Sequence, residues 1–173
     1  MGWSIGSTWH RWDPHIHAPG TSKENQYGSS EDETVCQQYF KTIQKAQPQC
    51  SALGITDYFV PRGYRLFIER KGPCNLPGLF VFPNIELRLK TRAEKGNTPN
   101  VHLLVSPEAD DHLTVITSKL AELTFTYDDE KFRCTEDDLR RLGRVATKNR
   151  KLEDEAALKA GAACFLIGKR SGG

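Results

Sequence analysis

Four short apolar segments of this chain each carry a polar side chain at or near one end. They are the run D-P-H-I-H at residues 13–17, G-I-T-D-Y around Asp57, N-I-E-L around Glu86 and V-H-L-L-V around His102. Such segments favour β-strands, and a parallel α/β sheet presents site residues at strand ends in this way. The repeated pattern predicts that these polar side chains converge at one edge of a sheet.

The first segment has the composition of a metal site. If residues 13–17 form a regular strand, alternation places Asp13, His15 and His17 on one face, so that two imidazoles and a carboxylate converge. Imidazole and carboxylate are ligands of zinc and of other transition metals. An isolated His-x-His pair is also found as two unrelated exposed histidines. The polar residues in the other three segments favour the metal site.

Helical periodicity separates the predicted strands. Strands are expected at residues 13–17, 52–60, 79–89, 101–105 and 162–168. Helices are expected at residues 30–47, 61–71, 107–123 and 152–160, with a further one beginning at Thr135. Ser30 and Thr135 begin plausible capping boxes, and Gly161 is expected to end the last helix. Strands alternating with helices predict a parallel α/β sheet.

Composition limits the class of protein. With 173 residues, of which 38% are hydrophobic, the chain is expected to form one domain over residues 1–173. A net charge of +2 is no nucleic-acid signature, although a local basic patch remains compatible with it. The five cysteines form no C-x-x-C pair, which favours a reducing compartment. Because no apolar run approaches the roughly 20 residues of a membrane span, a cytoplasmic protein without membrane contact is expected.

Taken in order, the four segments resemble the motifs of the PHP domain, the polymerase and histidinol phosphatase family of metal-dependent phosphoesterases. The resemblance runs from about residue 9 to residue 105. It implies a distorted TIM-like barrel of β/α units, (β/α)7 in the family, which is incomplete here because too few strands are predicted. Residues 6–21 look most like the TrlF-like group, in which a PHP domain precedes an ATPase module. The resemblance therefore implies an N-terminal fragment of a longer protein with a C-terminal ATPase module.

The resemblance also implies a ligand set. His15 and His17 would bind a first cation with Glu86, and His102 would bind another that shares Glu86. Asp13 is either a ligand or the acceptor that fixes one imidazole. Asp57 is expected to act in catalysis with Glu86, as a ligand or by orienting water, and its alternative role is to cap the next turn. Two or three divalent ions are expected, with zinc, manganese and iron all compatible with such ligands.

The chain departs from the family at two places. Tyr58 stands where many PHP proteins have a histidine ligand, and a phenol with a pKa near ~10 is a weaker ligand at neutral pH. This favours two metals and leaves Tyr58 to bind a phosphate. The family's late Asp-x-His pair has no counterpart after Phe165, so the activity of this fragment by itself is in question.

The expected function is hydrolysis of a phosphate ester by metal-activated water, with a phosphorylated small molecule or a nucleic acid as substrate. Two alternatives remain open: a degenerate PHP module that binds metal or a partner and regulates an attached ATPase, and an amidohydrolase-like enzyme, which a lysine or carbamylated lysine ligand would distinguish. Basic residues after the second and third strands are candidate phosphate contacts or ordinary exposed charges. They are Arg62, Arg65, Arg88, Lys90 and Arg92.

Overall fold

The structure of this protein is a computed structural model. It describes residues 10–23, 26–28, 32–71, 76, 78–91 and 98–168. These residues form strands β1 to β6 and helices α1 to α5. In chain order they are β1 (Trp12–His17), α1 (Glu33–Lys45), β2 (Ala52–Tyr58), α2 (Arg62–Lys71), β3 (Phe80–Arg88), β4 (Asn100–Leu104), α3 (His112–Ala121), β5 (Thr124–Tyr127), β6 (Glu130–Arg133), α4 (Glu136–Ala146) and α5 (Asp154–Cys164).

The first four strands form a curled, half-barrel sheet in the order β1-β2-β3-β4. The first three run parallel, as expected for strands that are joined through α1 and α2. The prediction of a wholly parallel sheet is wrong at β4, which runs antiparallel to β3. Residues 89–99, which join β3 to β4, are fewer than the dozen or more residues that a parallel crossover connection needs. The fold is mixed α/β.

The predicted strand at residues 162–168 is also wrong. Helix α5 continues to Cys164, and Ile167 forms only an isolated parallel bridge with Leu89. Gly161 does not end α5. It lies inside the helix, at the place where α5 is in close contact with α4. A Cβ atom on Gly161 would lie 1.8 Å from the carbonyl oxygen of Leu139 in α4. The glycine therefore allows α4 and α5 to cross at backbone contact.

Strands β5 and β6 form a β-hairpin that the sequence analysis did not predict. The two strands pair antiparallel, and Asp128 and Asp129 form the turn with φ angles of 51° and 62°. Two-residue hairpin turns of this kind need positive φ at both positions. Such turns are recognised in a sequence mainly by a glycine, which the Asp128-Asp129 pair lacks. The flanking residues of β5 do alternate between polar and apolar side chains.

The N-terminal caps of α4 and α1 can be compared with the two predicted capping boxes. Thr135 caps α4 by accepting a hydrogen bond from the amide of Asp138, as predicted. Helix α1 is capped instead by Asp32, which accepts from the amides of Thr34 and Val35. Ser30, the predicted cap, lies outside the described residues.

The two faces of the sheet have different surroundings. Helices α1 and α2 cover the face that carries Leu53 and Ile55, with Phe40 and Phe67 buried between them. The opposite face carries polar residues of β2 and β3, and a second apolar cluster packs around the ends of these strands with α3, α4, α5 and β6. Among the described residues, none of the helices has the length and hydropathy needed to cross a membrane.

Candidate metal centre

The first strand carries a bulge that turns its histidines toward the uncovered face of the sheet. Asp13 pairs with Leu53 and His17 with Thr56, so the register shifts by one residue between them. The bulge fits only because residue 54 is glycine: a Cβ atom there would lie 2.2 Å from the carbonyl oxygen of Pro14. Leu53 and Thr56 lie on opposite faces of β2, and Asp13 and His17 therefore lie on opposite faces of the sheet.

His17 has a defined tautomer. Its Nδ1 lies 3.1 Å from the carbonyl oxygen of Thr56. A carbonyl can only accept, so Nδ1 carries the proton and Nε2 presents its lone pair. An outer hydrogen bond of this kind is what fixes the orientation of metal-binding histidines.

His15 completes a pair of converging imidazoles. Its Nε2 lies 3.3 Å from the Nε2 of His17 and 3.9 Å from Oε2 of Glu86. Two nitrogens bound to one tetrahedral zinc at about 2.05 Å lie about 3.3 Å apart. The His15 side chain is 46% exposed, so the pair is open to solvent on that side.

Glu86 supplies a buried carboxylate beneath the two imidazoles. Its Oε1 accepts a short hydrogen bond from the Asn100 side chain. Its Oε2 is buried and has no hydrogen-bond partner among the described residues, because 3.9 Å to His15 is too long for one. A buried carboxylate oxygen without a partner is costly, and a cation held by Glu86 and the imidazoles would remove that cost.

His102 lies beside this group and opposite Glu86 in the β3–β4 pairing. Its ring centroid is 4.8 Å from that of His15. Its Nδ1 lies 3.0 Å from Oδ1 of Asn84, whose amide group donates to the carbonyl of Pro14 and to Oγ1 of Thr56. Asn84 therefore accepts from His102 at Nδ1, which leaves Nε2 of His102 as the nitrogen with a lone pair.

The donor atoms of His15, His17 and Glu86 all lie within 4.8 Å of one another, and they are the only such His/Cys/Asp/Glu group in the described part of the chain. Three of the predicted metal ligands are thus brought together. His102 is adjacent to the group, with its Nδ1 already bonded. Asp13 is not part of it: its Oδ1 accepts from the amide of His15 within the bulge, and its side chain lies on the helix-covered face.

Asp57 has the capping arrangement that was the alternative to a catalytic role. Its two carboxylate oxygens each lie 2.9 Å from a backbone nitrogen of α2, those of Gly63 and Tyr64. Its neighbour Tyr58 is in register with Glu86, whereas Asp57 is in register with Ile85 and points to the opposite face of the sheet. Burial raises the pKa of Asp57 to about 6, and the two amide donors partly oppose that shift.

Tyr58 forms one wall of the site. Its ring is buried and stacks on His17, with centroids 6.0 Å apart and planes inclined by 4°. Nζ of Lys23 lies 5.0 Å from the centroid of the Tyr58 ring. Lys23 thereby brings a positive charge to a side chain that contacts the candidate ligands.

The two histidines outside the site and two of the candidate arginines have structural contacts. His10 hydrogen-bonds Ser51, and His112 lies between the carbonyl of Ala109 and the hydroxyl of Tyr64. Arg62 forms a bidentate ion pair with Glu155, and Arg88 donates to the carbonyl of Ala163. These pairings favour a structural role for both arginines over phosphate binding. Arg92 lies outside the described residues.

Sequence reasoning missed three residues that support the ligands. Asn84 and Asn100 each stand two positions before a predicted ligand, on the same face of their strand, and Thr56 has the same relation to Tyr58. The period-two pattern was therefore a usable signal.

Compared with protein-family models, with curated proteins and with solved structures, the chain matches none of them.

Proposed function

We propose that this protein is a metal-dependent phosphoesterase whose cation is held by His15, His17 and Glu86. The observation that carries the proposal is the buried Oε2 of Glu86, which faces two imidazole nitrogens and has no hydrogen-bond partner in the described structure. Without a cation, one N–H···N hydrogen bond satisfies the histidine pair but leaves this oxygen unsatisfied. A divalent cation satisfies all three donors.

The donor set limits which cation fits. Two imidazoles and one carboxylate make up the three-ligand set of catalytic zinc sites, which keep a further position open for water or substrate. Manganese and iron also accept such ligands, so zinc is the first choice and the other two are tested beside it. A bound divalent cation of this kind polarises a phosphoryl oxygen and makes water a stronger nucleophile.

The surrounding residues position the donors and leave one side open. Asn100 holds one oxygen of Glu86 and leaves the other facing the imidazoles. The carbonyl of Thr56 sets the tautomer of His17, and the exposed edge of His15 leaves a path for a substrate from solvent. Lys23 adds a positive charge beside Tyr58, where a phosphate group approaching His17 would be attracted.

The proposal extends to a PHP-type barrel that further strands complete, with a second cation at His102 and a phosphorylated small molecule or nucleic acid as substrate. It is supported by three successive parallel strands and by the place of His102 beside His15. The antiparallel β4 and the Tyr58 wall are departures from the resemblance. A C-terminal ATPase module and a cytoplasmic location remain predictions.

Metal binding tests the proposal directly. Protein stripped with EDTA is titrated with Zn²⁺, Mn²⁺ or Fe²⁺ against a chromophoric chelator, and bound metal is counted by elemental analysis. We expect one tightly bound zinc per chain at His15, His17 and Glu86, with any second cation at His102 counted in addition, and a loss of affinity of tenfold or more in His17→Ala. His10→Ala is the matched control, because His10 flanks the same strand but bonds Ser51. Equal affinity in wild type and His17→Ala would overturn the site.

A stability measurement separates a metal site from a structural cluster. In Glu86→Gln the side-chain oxygen still accepts from Asn100, and the buried carboxylate oxygen without a partner is replaced by an uncharged amide group. We therefore expect the metal-free variant to melt at or above the wild-type temperature. Zinc should raise the melting temperature of the wild type and leave the variant unchanged. A variant that melts well below metal-free wild type would indicate a structural role for the carboxylate.

Hydrolysis is then measured with p-nitrophenyl phosphate and with its bis ester, which represent monoesters and diesters. We expect turnover that requires added metal, survives in His10→Ala and is lost in Glu86→Gln. A wild-type protein that binds zinc and hydrolyses neither ester would favour the alternative of a metal-binding module without catalysis. One observation supports that alternative: Tyr58, which stacks on His17, stands at the position where many PHP proteins have a histidine ligand.

A further inference from the structure

A groove of about 580 Å³ lies between the β5–β6 hairpin and the turn that joins α4 to α5. Its lining shares no residue with the metal centre. The ionisable lining residues are two acids and four cations: Asp128, Glu130, Arg141, Arg144, Lys148 and Arg150. We call it the Lys148 groove.

The cations of the groove fall into two kinds. Arg141 is paired with Glu130 at 2.6 Å, and Arg144 donates to Asp154 at 2.5 Å. Lys148 and Arg150, together with the adjacent Lys151, are exposed and form no ion pair within the described residues. The turn between α4 and α5 therefore presents three positive charges that are available to a ligand.

Lys148 occupies a backbone position that suits glycine. Helix α4 ends with the amide of Lys148 bonded to the carbonyl of Val145 and the amide of Asn149 bonded to the carbonyl of Arg144. This is the Schellman pattern, in which the residue at the place of Lys148 is left-handed and is usually glycine. Lys148 has a φ of 53°. The backbone at this position does not require a lysine, so the side chain can be removed without disturbing the turn.

The turn is held in one shape by its own hydrogen bonds. Asn149 accepts from the amide of Lys151 through its side chain and from the amide of Leu152 through its carbonyl. Arg144 fixes the far end by donating to the carbonyl of Leu152 at 3.1 Å. The three free charges are therefore presented by an ordered turn, which lowers the entropic cost of binding an extended anion.

The helix dipole does not account for all of these charges. It favours cations in the last turn of a helix, whereas Arg150 and Lys151 lie beyond the last turn of α4. No large hydrophobic side chain that is exposed in the described structure belongs to the groove, so insertion into a lipid surface is not favoured. The absence of an exposed aromatic ring among the lining residues also argues against base stacking. These features favour contact with a row of phosphates over contact with a lipid surface or with bases.

We propose that the Lys148 groove binds the phosphate backbone of nucleic acid, independently of base sequence, through Lys148, Arg150 and Lys151. The inference is separate from the metal centre, because the groove residues would bind nucleic acid whether or not the centre hydrolyses it. Contacts of this type release counterions, so the affinity must fall steeply with salt.

The test uses fluorescence anisotropy of a labelled duplex of about 20 base pairs, with EDTA-treated protein. Three phosphate contacts predict an affinity about 40-fold lower at about 200 mM than at about 50 mM KCl. Lys148→Gly removes one charge at a position where glycine suits the backbone, so loss of folding cannot explain its effect. We expect this variant to reduce the slope of log affinity against log salt by about 1. Lys41→Ala, which removes an exposed charge from α1, should leave the slope unchanged.

Several results would overturn the proposal: equal salt slopes for Lys148→Gly and Lys41→Ala, binding to phosphatidylserine vesicles without binding to the duplex, or loss of duplex affinity in His17→Ala. The last result would place the nucleic acid at the metal centre instead. Zinc stoichiometry in Lys148→Gly should equal that of wild type. Failure of the groove and failure of the metal centre are thereby observed in different variants.

Discussion

The carbonyl oxygen of Pro14 lies over Gly54, at the place where any other residue would carry its Cβ atom. This contact lets the bulge of β1 rest against β2 and turns His15 and His17 toward Glu86. We expect Gly54→Ala to force the strands apart, because the clash is with backbone rather than with a flexible side chain. The free energy of unfolding should fall by about 1–3 kcal/mol, and zinc affinity should fall with it. Urea unfolding and metal titration measure the two effects.

Gly143→Ala is the control for this substitution. A Cβ atom on Gly143 would lie 1.9 Å from the carbonyl oxygen of Ala157, so the variant is also destabilised, but in the contact between α4 and α5. Its zinc affinity should stay at the wild-type value at temperatures where it is folded. If both glycine variants lost zinc to the same degree, the bulge would have no special role in the site.

Asn84 holds three parts of the site together, because it bonds the bulge carbonyl of Pro14, the hydroxyl of Thr56 and the ring of His102. Removing a residue that orients metal ligands typically weakens metal binding by about 10–100-fold. We expect a loss of this size in Asn84→Ala, measured by chelator competition. Gln38→Ala, on the exposed side of α1, serves as the control and should bind zinc as wild type does. Wild-type affinity in Asn84→Ala would mean that the bulge holds His15 and His17 without it.

The strands that carry the site could be predicted from short apolar segments with polar ends, and three of the expected ligands do converge. The bulge was not predicted, because strict alternation was assumed for residues 13–17. That assumption placed Asp13 on the same face as the histidines. Proline within a strand and glycine on the neighbouring strand are both residue types that mark bulges, and Pro14 and Gly54 supply both.

The helical region was harder to predict, for a reason that lies in tertiary packing. Gly161 has the local signature of a helix end, but its lack of a side chain is used for contact with Leu139. A single sequence does not distinguish a glycine that ends a helix from one that allows two helices to touch. The direction of β4 did have a signal in the sequence, because residues 89–99 are too few for a parallel crossover connection.

Asp57 should give stability an unusual dependence on pH. Its pKa is raised to about 6 in the folded protein, mainly by burial, from an ordinary value of 3.8. The folded state therefore holds this proton more tightly than the unfolded state, and stability falls as pH rises from about 4 to about 6. The contribution lost is about 3 kcal/mol. We expect the free energy of unfolding of wild type minus that of Asp57→Asn to fall by about 2 kcal/mol between pH 4 and pH 7, because the rest of the loss occurs below pH 4.

The comparison is made by urea unfolding in EDTA, so that metal binding does not vary with pH. Carboxylates with lowered pKa, such as Glu155 beside Arg62, give the opposite slope, but they are present in both proteins and cancel in the difference. Asp137→Asn changes an exposed carboxylate, whose side chain is 98% accessible, and should leave the slope as in wild type. A difference between wild type and Asp57→Asn that did not vary with pH would contradict the burial effect.

Lys148 offers a substitution that should stabilise the protein. Its left-handed backbone at the end of α4 costs an L-residue about 1 kcal/mol relative to glycine, so Lys148→Gly should raise the melting temperature by about 2–4 °C. Lys41→Gly is the same chemical change in the middle of α1 and should lower stability by about 1 kcal/mol. Opposite signs for two identical substitutions would show that the backbone decides the effect. If Lys148→Gly were destabilising, the side chain of Lys148 would have a structural role, and its charge would no longer need a ligand to explain it.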